Sequence, residues 1–253
     1  MSTLTLRKAN QKPSQKSLSN SEALSLSDKV YIFLLSFFCI NLVLANLVSV
    51  KLFQFHLPFF SLISLPVGDL VYPVTFLITD IISEVWGKKR ANQVVINGFF
   101  TTIFAVAFVQ LCIRLSPSEL WFDTSNPSNL SSMSDRQAAY EFVFSSSLIS
   151  TVASLMAYVV SQRIDVSIYH YIYGKTGSKW LWLRNNVSTM TAQLVDTLIF
   201  GSIFYYFGMS LEWSSVLAVM VHVYTCKVIY ALLDTPLCYV GVFFVKKVFQ
   251  NQE

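Results

Sequence analysis

Six apolar runs, each near or beyond the roughly 20 residues that a helix needs to cross a hydrocarbon core, follow one another along the chain. They extend approximately from Val30 to Val50, Leu65 to Val85, Ala91 to Ile113, Phe142 to Gln162, Asn185 to Phe207 and Trp213 to Val245. In lipid every backbone N–H and C=O must find its partner within the protein, so runs of this length and composition are helices. The expected fold class is an all-α integral membrane protein, a six-transmembrane-helix bundle. Composition agrees, since 54% of the 253 residues are hydrophobic, only 13% are charged, and mean hydropathy is +0.53. Ordinary soluble domains lie outside that range. The last run is too long for a straight crossing, which predicts a strong tilt, or a turn or break near Pro236. Between the first two runs, "LFQFHLPFFSLISLP" is apolar but short and interrupted by proline. It reads as a re-entrant or interfacial segment that helps to cover a cavity from outside.

The basic residues orient these spans. Fourteen of the 18 Lys and Arg fall in the N-terminal tail, in the second-to-third and fourth-to-fifth connections, and at the C-terminal end. Lys51, Arg114 and Arg136 fall on the other side, and Lys227 lies within a span. The positive-inside rule then places both termini in the cytoplasm and the Ser116 to Gln137 loop outside. Residues 1–28 read as a flexible Ser-rich cytoplasmic tail, and 29–247 as one transmembrane domain. The net charge of +4 follows from this topology and is no argument for nucleic-acid binding. The stretch Gln162 to Asn186 mixes bases with Tyr169, Tyr171, Tyr173, Trp180 and Trp182, as an anchor at the cytoplasmic membrane interface would. The four cysteines lie in apolar segments without paired spacing, and His56, His170 and His222 match no zinc spacing. No metal or cofactor is expected.

Acids inside the spans are the informative exceptions, because a charge at membrane depth persists mainly where it faces protein or water. On a regular helix Asp69, Asp80 and Glu84 lie within roughly 60° of one another and share a stripe with Pro73 and Phe76. The fifth span repeats Asn186, Thr189, Gln193 and Asp196 at intervals of three and four residues, and the sixth repeats Tyr224, Lys227, Ala231 and Asp234. Three polar faces turned toward one another would enclose a polar chamber. Five carboxylates facing Lys227 cannot all be neutralised by it, so some must reach water, carry a proton, or meet a ligand or ion. Glu84, near a basic helix end, has a local candidate partner in Lys88, four residues on. The competing reading of any one of these residues is structural: Lys227 neutralises Asp196 or Asp234, and Gln193 and Asn186 join helices.

The segments "YPVTFLITDIISEVWG", "QRIDVSIYHYIYGKTGSKWLWLRNNVSTMTAQLVDTLIF" and "KVIYALLDTP" together resemble the queuosine precursor transporter family, also grouped as vitamin uptake transporters. The resemblance runs in order from about Val30 to Val245. It implies uptake of 7-deazaguanine bases such as preQ0, preQ1 or queuine for transfer RNA modification, and a fold like the substrate-binding subunits of energy-coupling-factor transporters. The expected place is the inner (plasma) membrane of a bacterium. Family positions map onto Pro73, Asp80, Gly87, Asp165, Ser188, Asp196, Thr197, Lys227 and Pro236, whereas Asp234 falls at a more variable position.

A deazaguanine presents N1–H and an exocyclic amine as adjacent donors, which one carboxylate accepts together, and a cationic arm needs another acid. The substrate-binding set on this reading is Asp80, Asp196, Lys227, Gln193, Asn186 and Asp234, with Phe76 and Tyr72 stacking on the ring. Glu84 and Asp69 serve gating or charge pairing. Any ATP drive would come from a separate energising module, because the chain contains no G-x-x-x-x-G-K-[ST]. Two other classes compete: a structural or assembly subunit of a membrane complex, and an intramembrane aspartyl protease. The latter is disfavoured because "PVGDL" has Pro66 where G-x-G-D requires glycine.

Overall fold

The computed structural model describes residues 24–55, 63–118, 121, 132–144 and 148–250. The tail over residues 1–23 and most of the Ser116 to Gln137 loop therefore lie outside the described residues. Helix α1 (Leu26–Val48) opens at Ser25, whose hydroxyl accepts from the Asp28 amide at 3.1 Å. That bond caps a free amide, and the Asp28 charge suits the positive end of the helix dipole. Strands β1 (Leu52–Phe55) and β2 (Ile63–Pro66) follow, paired antiparallel with Leu52 opposite Pro66. The segment expected to be re-entrant or interfacial thus has hairpin ends. Four residues are too few for a stable helix, and ladder bonds satisfy their backbone instead.

Helix α2 (Gly68–Trp86) ends at Gly87, which turns the chain at φ +79° into α3 (Lys88–Arg114). A side chain at that φ is strained, which gives the glycine of "EVWG" its physical role. Helix α4 (Met133–Phe144) has no buried residue, and α5 (Leu148–Thr176), α6 (Leu181–Gly201), a π-helical turn at Ser202–Gly208, and α7 (Trp213–Gln250) complete the order. Five stretches are long and apolar enough to cross a membrane: Leu26–Val48, Lys88–Arg114, Met133–Thr176, Leu181–Gly208 and Trp213–Val248. Helix α2, with 19 residues of which Asp69, Asp80 and Glu84 are acids, is not among the five.

Two boundaries differ from expectation. The fourth span was expected over Phe142 to Gln162, but α5 continues to Thr176. The supposed interfacial anchor is in part an interior helix, with Asp165, Val166 and Tyr169 fully buried. Arg163, Tyr171 and Tyr173 are exposed, while positions 162, 165, 166 and 169, spaced three and four apart, face the bundle. In α7 the chain passes through Pro236 as one 38-residue helix, without a break.

Packing is tight where small residues let helices approach. A Cβ on Gly68 would collide with the Ala45 carbonyl oxygen of α1, and one on Gly98 would stand 2.5 Å from the Phe38 ring. Close backbone approach of this kind is the usual device of helices packing in lipid. Phe38, Leu42, Ile78, Ile82, Val94, Val95 and Tyr158 join α1, α2, α3 and α5 in the principal apolar cluster. The wider distribution is inverted relative to a soluble domain. Phe104 and Phe207 are 70% and 71% exposed, whereas Asp80, Gln162, Asp165 and Asn185 are each at 0%. An apolar exterior and a polar interior are what a hydrocarbon solvent selects.

Candidate functional site

Helices α2, α6 and α7 turn their polar stripes to a common cleft. Its walls are Asp69, Tyr72, Pro73 and Phe76 from α2, Thr189 and Gln193 from α6, and Lys227, Tyr230, Ala231 and Asp234 from α7. Of the residues anticipated as substrate contacts, Tyr72, Phe76, Gln193, Lys227 and Asp234 line this cleft, as does Asp69. Asp80, Asn186 and Asp196 are buried beside it rather than on its walls. Tyr72 and Phe76 meet edge to face with ring centroids 5.7 Å apart. They present an aromatic surface beside the Lys227 ammonium, which lies 5.8 Å from the Tyr72 ring centre.

The acids divide into two kinds. Lys227 Nζ donates to Asp196 Oδ2 at 2.6 Å, and the hydroxyls of Tyr72 and Ser161 approach Oδ1 at 3.3 Å each. Asp196 thus has protein partners on both oxygens, Lys227 among them. Glu84 is likewise satisfied, although not by Lys88. It accepts from Arg184 at 2.5 Å, from the Tyr169 hydroxyl at 2.9 Å and from Lys246 at 3.2 Å. The local i,i+4 partner is displaced because tertiary packing delivers a buried guanidinium, itself held by the carbonyls of Gly177 and Lys179. A planar, delocalised guanidinium is more easily desolvated than an ammonium, which suits it to this place.

Asp80, Asp165 and Asp234 behave differently. Among the described residues none of them has a basic group within 4.0 Å. The Thr189 hydroxyl lies 3.3 Å from Asp80 Oδ2 and 3.4 Å from Asp165 Oδ1. A hydroxyl has one proton, so it serves only one of these carboxylates at a time. Asp80 Oδ1, Asp165 Oδ2 and Asp234 Oδ2 are buried without a partner. Asn186 donates to Thr235 Oγ1 at 2.7 Å and to the Trp182 carbonyl at 2.8 Å, which makes it a strut between α6 and α7.

Residue reading alone passed over Asp165 and Arg184 as site groups. Asp165 had a signal, the i,i+3 pair it forms with Gln162 on an apolar helix. Arg184 had none, because its partner is 100 residues away. Among the described residues no group of three His, Cys, Asp or Glu is placed to hold a metal ion.

An apolar exterior around a polar, cleft-bearing interior defines a multi-pass membrane protein that can hold a polar solute. Over residues 66–241 the sequence matches the family described as "Putative vitamin uptake transporter", and the chain belongs to that family. It is 29% identical over 188 residues to a "Probable queuosine precursor transporter" of Bacillus subtilis, covering 74% of this chain and 73% of that protein. A protein of the same description from Haemophilus influenzae is 29% identical over 139 residues, 55% of this chain and 51% of the relative. No solved structure matches at comparable significance.

Proposed function

We propose that the chain is an importer of queuosine precursors, carrying 7-deazaguanine bases across the inner membrane of a bacterium for transfer RNA modification. The observation that carries this reading is the cleft, where an aromatic wall, one ammonium and several buried acceptors converge inside a lipid-adapted bundle of a transporter family. The planar base stacks on Phe76 and Tyr72. Its ring carbonyl takes a donor from Lys227 or Gln193, and its donor edge meets Asp80 or Asp234. Asp196 positions Lys227, and Glu84 with Arg184 and Lys246 closes the cytoplasmic end. The similarity to two probable queuosine precursor transporters supports this reading over proteolysis or an assembly role.

In the proposed topology α1, α2, α3, α5, α6 and α7 cross the membrane with both termini inside. Polar links support this arrangement. Arg90 pairs with Asp28 at 2.9 Å, Trp86 donates to Ser27 at 2.9 Å, and the Glu84 cluster joins the end of α2 to the start of α6 and the end of α7. Arg90, Arg184 and Lys246, three bases of the cytoplasmic set, are thus held at these linked helix ends.

Two experiments test the proposal. In cells that neither make the precursor nor possess another importer, expressing the chain should restore queuosine in transfer RNA when limiting precursor is supplied outside. A correctly inserted protein at normal levels that gives no rescue would sink the reading. In a cysteine-free background, Ser116→Cys should react with an impermeant maleimide from outside and Lys89→Cys only after the membrane is opened. The reverse pattern would overturn the orientation.

A further inference from the structure

We infer that the buried acids beneath the cleft form a subsite for a cationic amine, so that the chain prefers a deazaguanine bearing an aminomethyl arm to one bearing a neutral nitrile. This inference rests on the import reading above. It starts from a count of charges among the described residues. Lys227 is engaged by Asp196, and Arg184 and Lys246 are engaged by Glu84, so each of these interior acids already has a cation. Asp80 and Asp165 at 0% exposure and Asp234 at 5% have none. Asp80 and Asp165 lie within hydrogen-bonding reach of each other and of Thr189, and Asp165 of Ser188. Among the described residues no positive charge balances the group, and buried acids in that condition favour a cation that comes to them.

Neutral side chains point to a ligand independently of the acids. Gln162 and Asn185 are both at 0% exposure, and neither has a partner for either of its side-chain polar atoms. The Ser83 hydroxyl is in the same condition. Each stands one helical turn from a key group on its own helix: Gln162 from Asp165, Asn185 from Thr189, and Ser83 from Asp80. Buried polar groups are nearly always partnered in native proteins. Here α2, α5 and α6 each contribute an unpartnered polar side chain next to an acid or to Thr189, among them two amide oxygens and two amide NH2 groups.

The three acids without a cation select the chemistry of the ligand. An alkylammonium has three donors and no acceptor, so Asp80 Oδ1, Asp165 Oδ2 and an amide oxygen of Asn185 or Gln162 would suit it. A nitrile offers only an acceptor and would meet carboxylates with nothing to donate. The subsite also communicates with the cleft. Thr189 lines the cleft and touches both Asp80 and Asp165, while Asp234 lines it with an unpartnered oxygen. A base stacked on Phe76 would therefore direct a short cationic arm past Thr189 toward the acids.

The test compares initial uptake of radiolabelled aminomethyl and nitrile deazaguanines in cells that express the full chain. Uptake efficiency for the aminomethyl base should be higher by about tenfold or more, the size of a charge-assisted hydrogen bond. Asp165→Asn and Asp234→Asn should each narrow that ratio, and the aminomethyl base should raise the melting temperature of the purified protein more than the nitrile does. Equal or better uptake of the nitrile by the unaltered chain would overturn the inference while leaving the import reading intact. So would an unchanged ratio in either variant that inserts and melts normally. Uptake of neither base would remove the import reading, and the inference with it.

Discussion

Arg184→Met should cost about 3–5 kcal/mol of stability, the range for removing one partner of a buried ion pair. The side chains of Arg184 and Glu84 are 0% and 5% exposed, so solvent screens their interaction little. The substitution also leaves the carbonyls of Gly177 and Lys179 without their guanidinium donor, and removes a cation stacked 4.9 Å from the Tyr173 ring centre. Lys246 remains at 3.2 Å from Glu84, but its side chain is 49% exposed and compensates only partly. Lys246→Met should accordingly cost no more than about 1 kcal/mol, as exposed pairs do. Glu84→Leu placed in the Arg184→Met chain should recover much of the loss, because the orphaned charge is then gone. Melting temperature and the monodisperse fraction in detergent report all four proteins. Equal damage from Lys246→Met and Arg184→Met would show that burial does not set the value of this cluster.

The same cluster shows where sequence reading reaches its limit. Helical periodicity brought Asp69, Phe76, Gln193, Lys227 and Asp234 to one cleft, since a repeat of three and four residues fixes which face a side chain occupies. It also singled out Asp80 and Asp196. What it cannot supply is the pairing between faces. Lys88 was the local candidate for Glu84, yet the acid is held by Arg184 and Lys246, 100 and 162 residues distant. The misreading of Gln162 to Thr176 has a related cause. Bases and aromatic rings do favour the membrane interface, but composition averages over a helix, and the inner stripe of α5 holds Asp165 and Tyr169 at 0% exposure. The hairpin ends at Leu52–Phe55 and Ile63–Pro66 were concealed for another reason. An apolar run interrupted by proline is equally compatible with any short structure at the interface, and only the partner strand decides.

Asp80 and Asp196 look alike as sequence, each an acid on the polar stripe of an apolar helix, but their surroundings predict opposite responses to amidation. Asp196→Asn weakens the 2.6 Å pair with Lys227, whose side chain is only 12% exposed, and should lower stability by about 3 kcal/mol. Adding Lys227→Met removes the stranded cation and should restore folding. Uptake should stay low, because the ammonium that lines the cleft has also gone. Asp80→Asn disturbs no ion pair, and the Thr189 hydroxyl at 3.3 Å can still donate to the amide oxygen. Its stability should change by less than about 1 kcal/mol, as expected where no buried charge is orphaned. Its uptake should fall by roughly 10- to 100-fold, since a charge-assisted contact with the donor edge or cationic arm of the base is lost. Lys227→Met added to Asp80→Asn should bring no recovery. Melting temperature and initial uptake rate for the singles and doubles separate the two roles. Recovery of uptake by Lys227→Met in the Asp80→Asn chain would reject substrate contact by Asp80, and an undiminished melting temperature for Asp196→Asn would reject the pairing role of Asp196.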